Sequence, residues 1–298
     1  MTPGPRYRVL AVDLDGTLIS NVHDPEHPVS AANLEALREL RAAGTRIVIS
    51  TGRSEGAARS VIGRCGDPQL AASDLILHNG ALMVDGATGA TLRELRLDRG
   101  DAARTLDSYR AHGLTPFLFT SRARGGACVV EGEPRAENVA LVRYLAARER
   151  DHDGELLHVD SLTPWLEDAP LALASIDHPA RIAPALEAME ALDLAGSRVA
   201  VLGLVGRGST GPAQFLEVFQ REVSKERAFA VWCALRDVPL AETAAIGDGR
   251  NDLELIQEVG LGIAMGNGAA DLRAAADHVA PPHDQDGLAE AIHRYLLA

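Results

Sequence analysis

The sequence predicts an α/β protein with a parallel sheet and a second α/β unit inserted into it, on three observations. Short apolar runs alternate with stretches of helical periodicity at both ends of the chain. Acids, hydroxyls and glycines cluster directly after those runs, where open α/β sheets place their ligands. Between about Leu82 and about Thr210 the joints become looser and more polar, so the middle has a different character from the ends.

The run 7–12 is too brief for a helix and lies between Pro5 and Gly16, as expected of a strand buried on both faces. Ser30 is placed to cap a helix carrying Leu34, Leu37 and Leu40 at helical spacing, and Gly44 ends it. Residues 47–49 form a second strand, a helix follows from Ser54, and 75–77 form a third strand. Strand, helix, strand, helix, strand implies parallel pairing with right-handed crossovers. The far end repeats the pattern: helix 226–235, strand 243–246, helix 252–259, strand 262–264, helix 269–276, a short strand 278–280 and a closing helix 287–297.

In the middle, the runs 82–84, 117–120, 127–131 and 171–176 are further strand candidates. Asp85-Gly86 and Thr88-Gly89 suggest a hairpin at the start of this region. Residues 203–212 carry four glycines and a proline and suggest the return crossing. The expected division is 1–84 with 214–298 as a discontinuous core, and 85–213 as the inserted unit.

With 298 residues, 46% of them hydrophobic, the chain can bury one large core or two modest ones. Aromatics are only 4%, so Ala, Leu, Val and Ile must build it. A formal charge of −13 argues against nucleic acid, whose phosphates are held by clustered Lys and Arg. It leaves room for a small phosphorylated ligand, because a local cation can reverse the field where it matters. Cys65, Cys128 and Cys233 are odd in number and far apart, which predicts three buried, reduced thiols rather than zinc or disulfides. No signal sequence and no membrane span is apparent, so a soluble, cytoplasmic protein is expected.

The candidate chemistry begins at Asp13-Leu14-Asp15-Gly16-Thr17, just past the first strand. Along an extended backbone Asp13 and Asp15 point the same way, so two carboxylates share one small site. Such a pair needs a cation or a shared proton; alone, the pentapeptide also fits an acidic turn. Gly247-Asp248-Gly249-Arg250-Asn251-Asp252 follows another strand and supplies two more acids and an amide. Oxygen donors without His or Cys favour magnesium over zinc, while Asn251 or Asp252 also suits a helix cap. Ser50-Thr51-Gly52-Arg53 can offer a hydroxyl and backbone N–H groups to phosphate, or simply cap a helix. Lys225, taken alone, has the look of surface charge. Asn79 and Asn267 also follow strands, and either support the site or cap turns.

Together and in this order, these segments resemble the haloacid dehalogenase (HAD) superfamily. Asp13–Thr17 resembles its Asp-x-Asp-x-Thr motif, Thr51 the second-motif hydroxyl, Lys225 the third-motif lysine and 247–252 the fourth motif. Asn79-Gly80-Ala81, Val223-Ser224-Lys225 and Ala264-Met265-Gly266-Asn267 are similar to the Cof-type subfamily. Two small departures are Glu226 after Lys225, where Gly is frequent, and Gly268 after Asn267, where Ala is usual. The resemblance implies a Rossmann-like core with an inserted α/β cap and a magnesium-dependent phosphatase acting on a small phosphorylated metabolite. It implies Asp13 as nucleophile and Asp15 as acid and base, with Thr51, Gly52 and Lys225 on the phosphate. Magnesium would be held by Asp13, the Asp15 carbonyl and Asp248, with Asn251 and Asp252 directly or through water. A phosphotransferase or mutase using the same aspartyl-phosphate, and a non-catalytic binding protein, are the alternative classes. Among His112, Arg122, Arg124 and Trp165 of the inserted unit, surface charge or packing is the expected role.

Overall fold

The computed structural model describes residues 5–20, 28–150, 154–192, 194–204 and 212–298. The chain forms two compact units, one of residues 1–53, 58–93 and 224–298 and the other of 54–57 and 94–223.

The first unit opens with β1 (Val9–Val12), buried at every position. Helix α1 (Ala31–Ala42) starts at Ser30, whose hydroxyl accepts from the Asn33 N–H, and it buries Ala36, Leu37 and Leu40. Then come β2 (Arg46–Ser50), α2 (Glu55–Arg64), α3 (Pro68–Ala71), β3 (Asp74–Leu77), β4 (Leu82–Val84) and β5 (Thr91–Glu94). The turn between β4 and β5 is held by Asp85, which accepts from the backbone N–H of Ala87 and Thr88.

The second unit contains α4 (Arg99–Ala111), β6 (Phe117–Phe119), β7 (Cys128–Glu131), α5 (Val139–Arg150), β8 (Leu156–Val159), β9 (Ala172–Asp177), α6 (Pro179–Glu190), β10 (Ser197–Leu204) and β11 (Ala213–Gln220). The chain then returns to the first unit with α7 (Lys225–Leu235), β12 (Thr243–Gly247), α8 (Leu253–Glu258), β13 (Leu261–Met265), α9 (Ala270–Ala275), β14 (His278–Ala280) and α10 (Gly287–Ala291).

The first sheet runs β14-β13-β12-β1-β2-β3-β4-β5. The six strands from β14 to β3 are parallel, and β4 turns back antiparallel on β3. One face of it is filled by Val9, Ala11, Val48, Ile76 and Met83 against Phe229 and Trp232 of α7, whose rings stack 6.0 Å apart. The Trp232 indole N–H donates to Asp74 at 2.9 Å, which gives the buried ring its polar partner. In parallel strands all carboxyl ends lie on one edge, and the loops after β1, β2, β3, β12 and β13 carry the candidate residues.

The second sheet runs β10-β11-β9-β6-β7-β8, antiparallel except for the β7–β8 pair. Leu106 and Tyr109 of α4 and Ile182, Ala185 and Met189 of α6 pack on Leu118, Leu173, Leu216 and Val218. The expected boundaries at 84/85 and 213/214 shift accordingly. The hairpin β4–β5 stays with the first sheet, and β11 joins the second, because it pairs with both β9 and β10. Its apolar residues look the same in sequence whichever sheet takes them. Most of the expected return crossing, 203–212, lies outside the described residues. Cys128 and Cys233 are buried as expected, but Cys65 is only half-buried at the end of α2. No helix among the described residues is long and apolar enough to cross a membrane.

Candidate active site

Asp13 stands one residue beyond β1, its N–H donating to the Ile246 carbonyl of the neighbouring β12 at 3.1 Å. Asp248 stands one residue beyond β12. This adjacency of strand ends brings the Asp13, Asp248 and Asp252 carboxylates together, one oxygen of each lying within 4.8 Å of the others. Lys225, the first residue of α7, has a fully buried side chain and donates to Asp13 Oδ1 and Asp252 Oδ1 at 2.7 Å each. What looked like an ordinary surface lysine is therefore the cation of an acidic centre.

The electrostatics of this centre are unbalanced. Burial pushes the Asp13 carboxyl well above its usual range; Lys225 offsets part of this, while Asp252, Asp15 and Asp248 add to it. Burial also lifts Asp248 to about 7, with Asp252 contributing repulsion. For Lys225, burial favours the neutral amine, but Asp13 and Asp252 outweigh it and keep the ammonium charged. One lysine among this many acids leaves an uncompensated charge that a further cation would relieve.

The donor set suits a hard divalent cation, since it offers carboxylate and carbonyl oxygen without imidazole or thiolate. Its members are not equivalent. Both Asp252 oxygens are engaged by protein, Oδ1 by Lys225 and Oδ2 by the Gly249 N–H at 3.0 Å. Asp252 therefore acts on the cluster through Lys225 and the loop backbone. Asp248 is steadied by Asn267, whose amide donates to Asp248 Oδ2 at 3.1 Å and to the Gly16 carbonyl at 2.9 Å. The His283 N–H in turn donates to Asn267 Oδ1 at 2.9 Å. Gly16 has φ +75, and a Cβ there would stand 2.2 Å from Asp248 Oδ2, so only glycine allows this close approach.

Asp15 is separate from that cluster. Its side chain is 58% exposed and both of its oxygens accept from Arg53, Oδ2 from Nε at 2.7 Å and Oδ1 from Nη2 at 2.6 Å. Desolvation by the surroundings works to raise this carboxyl, but the hydrogen bonds and charge of Arg53 prevail and hold it below the ordinary range. Thr51 is fully buried beyond β2; its hydroxyl accepts from the Arg53 N–H at 3.1 Å, and its N–H donates to the Ile76 carbonyl. Gly52 lies against Asn79, whose Oδ1 would be 3.1 Å from a Cβ at that position. Asn79 Oδ1 accepts from the Asn251 amide at 2.9 Å, so these two predicted residues support one another. His78 and Asn79 are both left-handed, with φ 48 and 56. Consecutive non-glycine residues in that region store strain, a habit of functional sites. Gly80 follows with φ +106 and packs on the Ser224 carbonyl, which leaves no room for a Cβ and ties this bend to the start of α7.

Each predicted site residue therefore falls at a carboxyl strand end or, for Lys225, at the start of α7. Sequence reasoning assigned no role to Arg53 or Gly16; the signal for Arg53 was a guanidinium able to grip a carboxylate with two parallel bonds. Of the residues considered in the second unit, Arg124 pairs with Asp168 at 2.6 Å and covers the Trp165 ring, Arg122 pairs with Glu55 at 2.8 Å, and His112 Nδ1 meets the Ser108 carbonyl.

Comparisons with known proteins agree with this geometry. A family model described as haloacid dehalogenase-like hydrolase matches residues 10–292. The chain is 27% identical to Phosphatase YwpJ of Bacillus subtilis, over 97% of this chain and all of that protein. It is 26% identical to the 5-amino-6-(5-phospho-D-ribitylamino)uracil phosphatase YcsE of the same organism, covering 97% and 96% of the two chains. It also matches the chloroplastic Endoribonuclease YBEY of Arabidopsis thaliana at 27% identity, with 98% of this chain spanning about half (47%) of that protein. A solved haloacid dehalogenase-like hydrolase from B. subtilis superposes with a TM-score of 0.77 at 24% identity, covering 97% of this chain and all of that one. Matched along almost its whole length, and with acids, hydroxyl and lysine on the strand ends of a parallel sheet, the chain belongs to the haloacid dehalogenase-like hydrolases.

Proposed function

We propose that the protein is a magnesium-dependent phosphatase that releases phosphate from a small phosphorylated metabolite through an aspartyl-phosphate on Asp13. Family membership and relatives named as phosphatases support the class of enzyme. The observation that carries the mechanism is the Lys225 ammonium held between Asp13 and Asp252 beside Asp248, an acidic centre with one cation too few.

Asp13 keeps Oδ1 on Lys225 and attacks phosphorus with Oδ2, forming the O–P bond as the ester oxygen departs. Asp15 acts as acid from its protonated form, the minor one while Arg53 grips it; it gives that oxygen a proton, then regains one from the water that breaks the aspartyl-phosphate, which returns Asp13 and frees inorganic phosphate. The Thr51 hydroxyl, the Gly52 N–H and Lys225 hold the phosphoryl oxygens. Magnesium, held by Asp13, the Asp15 carbonyl and Asp248, would supply positive charge against the phosphoryl group. Asn251, Asp252, Asn79 and Asn267 position these groups. Placement and charge neutralisation supply most of the catalysis in phosphoryl transfer.

Phosphate release from a panel of phosphorylated metabolites, with magnesium or with EDTA, tests the reading beside Asp13→Asn. Magnesium-dependent release that disappears in the variant is expected. A folded Asp13→Asn protein turning over at the wild-type rate would overturn it, and an isomerised product in place of free phosphate would indicate a mutase.

A further inference from the structure

Glu217 is buried in β11 with only 6% exposure, yet no hydrogen bond or ion pair reaches its carboxyl among the described residues. Its neighbours Leu216 and Val218 face the core under α4 and α6, so strand alternation sends Glu217 to the opposite face. There it stands in register between Ala174 of β9 and Ala200 of β10, and Ala174 is itself opposite Phe117 of β6. Phe215 and Phe219 flank it along the strand. Tyr144 of α5 packs on the Phe117 and Phe215 rings at 5.6 and 5.4 Å. Arg148 of α5 is turned to the Phe119 and Tyr144 rings and donates to the Tyr144 hydroxyl at 3.4 Å.

A largely desolvated carboxyl with no protein partner costs stability, and a leucine of similar volume on this apolar face would not. The fold therefore gives no reason for the acid, while its surroundings give one. The residues opposite it on both neighbouring strands are small alanines, and Phe215 and Tyr144 are its apolar neighbours. With burial lifting the acid to about 8, it meets a ligand as a hydrogen-bonding group poised between its neutral and ionised forms.

We infer that Glu217 is the recognition residue of a small-molecule site within the 94–223 unit, which takes a ligand whose hydroxyl or amino group donates a hydrogen bond to this carboxyl. The ligand is a free small molecule bound within this unit, so the inference does not rest on the phosphatase reading.

The test is Glu217→Leu in the full chain. First, the leucine variant melts at or above the wild-type temperature; a clear drop would mean that Glu217 has a structural partner and would overturn the inference. Second, melting shifts are measured with hexoses, amino-hexoses, pentitols and amino-alcohols, each beside its deoxy analogue. At least one donor-bearing compound should bind wild type at least tenfold more tightly than the variant, with its deoxy analogue showing no such difference. No compound separating the two proteins would also overturn it. These arms need no turnover, so they hold even if the phosphatase reading fails. Turnover then reads the consequence: a change in phenyl phosphate turnover on adding the free compound to wild type, absent in the variant, marks an effector.

Discussion

The Arg53 guanidinium grips both carboxylate oxygens of Asp15, at 2.7 and 2.6 Å, across 38 residues of sequence. A bidentate clasp fixes the plane of the carboxylate as well as its place. Because Asp15 is more than half exposed, the pair is not held by burial, and among the described residues it is Arg53 that limits the rotamers the acid can visit. Arg53→Met should lower kcat by roughly tenfold, less than the ~10²- to 10⁴-fold that loss of the acid–base group itself costs. The loss should be larger for an alkyl phosphate than for an activated phenyl phosphate, whose leaving oxygen needs little protonation. Equal losses on the two esters would show that Arg53 serves something other than Asp15.

Asp13→Asn separates catalysis from stability. The wild-type carboxylate is crowded by Asp252, Asp15 and Asp248 in a buried position, and a neutral isostere removes that repulsion. Turnover should fall below detection, while the melting temperature in EDTA stays level or rises, as for other groups kept for function at the expense of stability. Differential scanning calorimetry beside a phosphate-release assay reads both quantities. A strongly destabilised variant would mean that the Lys225 pair outweighs the crowding.

Asn267 links the Gly16 carbonyl, Asp248 and the His283 N–H, so it acts on any bound cation only through Asp248 and the loop. Asn267→Ala should raise the magnesium concentration for half-maximal activity by ~10- to 100-fold, the usual cost of losing an outer partner of a ligand. At saturating magnesium, kcat should return to near wild type. Titration of activity against magnesium decides it, and an unmoved midpoint would remove Asn267 from the metal's support.

Gly16→Ala attacks Asp248 from the other side. Its Cβ would stand 2.2 Å from Asp248 Oδ2, and φ +75 disfavours any side chain. The loop must move and take Asp248 with it. Activity should drop more than in Asn267→Ala and should not be restored by excess magnesium, because Asp248, the proposed ligand, is itself displaced.

Much of the fold and the site was legible because strand ends are legible. Asp13, Thr51, Asn79 and Asp248 each follow a short apolar run, and parallel pairing brings such ends to one edge whatever the loops do. Lys225 carried no signal of its own and gained meaning only from its company. The Arg53–Asp15 clasp was hidden, since it depends on β1 and β2 lying side by side in a particular register. The assignment of β11 was hidden for a different reason. An apolar strand pairs equally well in either sheet as far as composition goes, so its membership is decided by β9 and β10. Glu217 on that strand was hidden with it.

Glu217 also predicts a pH signature. Burial raises its folded-state value to about 8 from the ordinary 4.5, and Tyr109 and Tyr144 nearby are themselves raised by burial and stay neutral in this range. For an acid raised on folding, the folded state binds the proton that the unfolded state has released. The stability it contributes is complete below about pH 4.5 and is lost as pH rises through about 8. Wild type should therefore lose stability relative to Glu217→Gln across that window, by an amount on the order of a few kcal/mol. Other acids, Asp248 among them, titrate over the same range in both proteins, so the difference between the two urea-unfolding curves isolates Glu217. Parallel curves from pH 5 to pH 9 would mean that the carboxylate is already solvated or paired in the folded protein. A widening gap would mark an acid held neutral at physiological pH, available to a ligand that gives it a hydrogen bond.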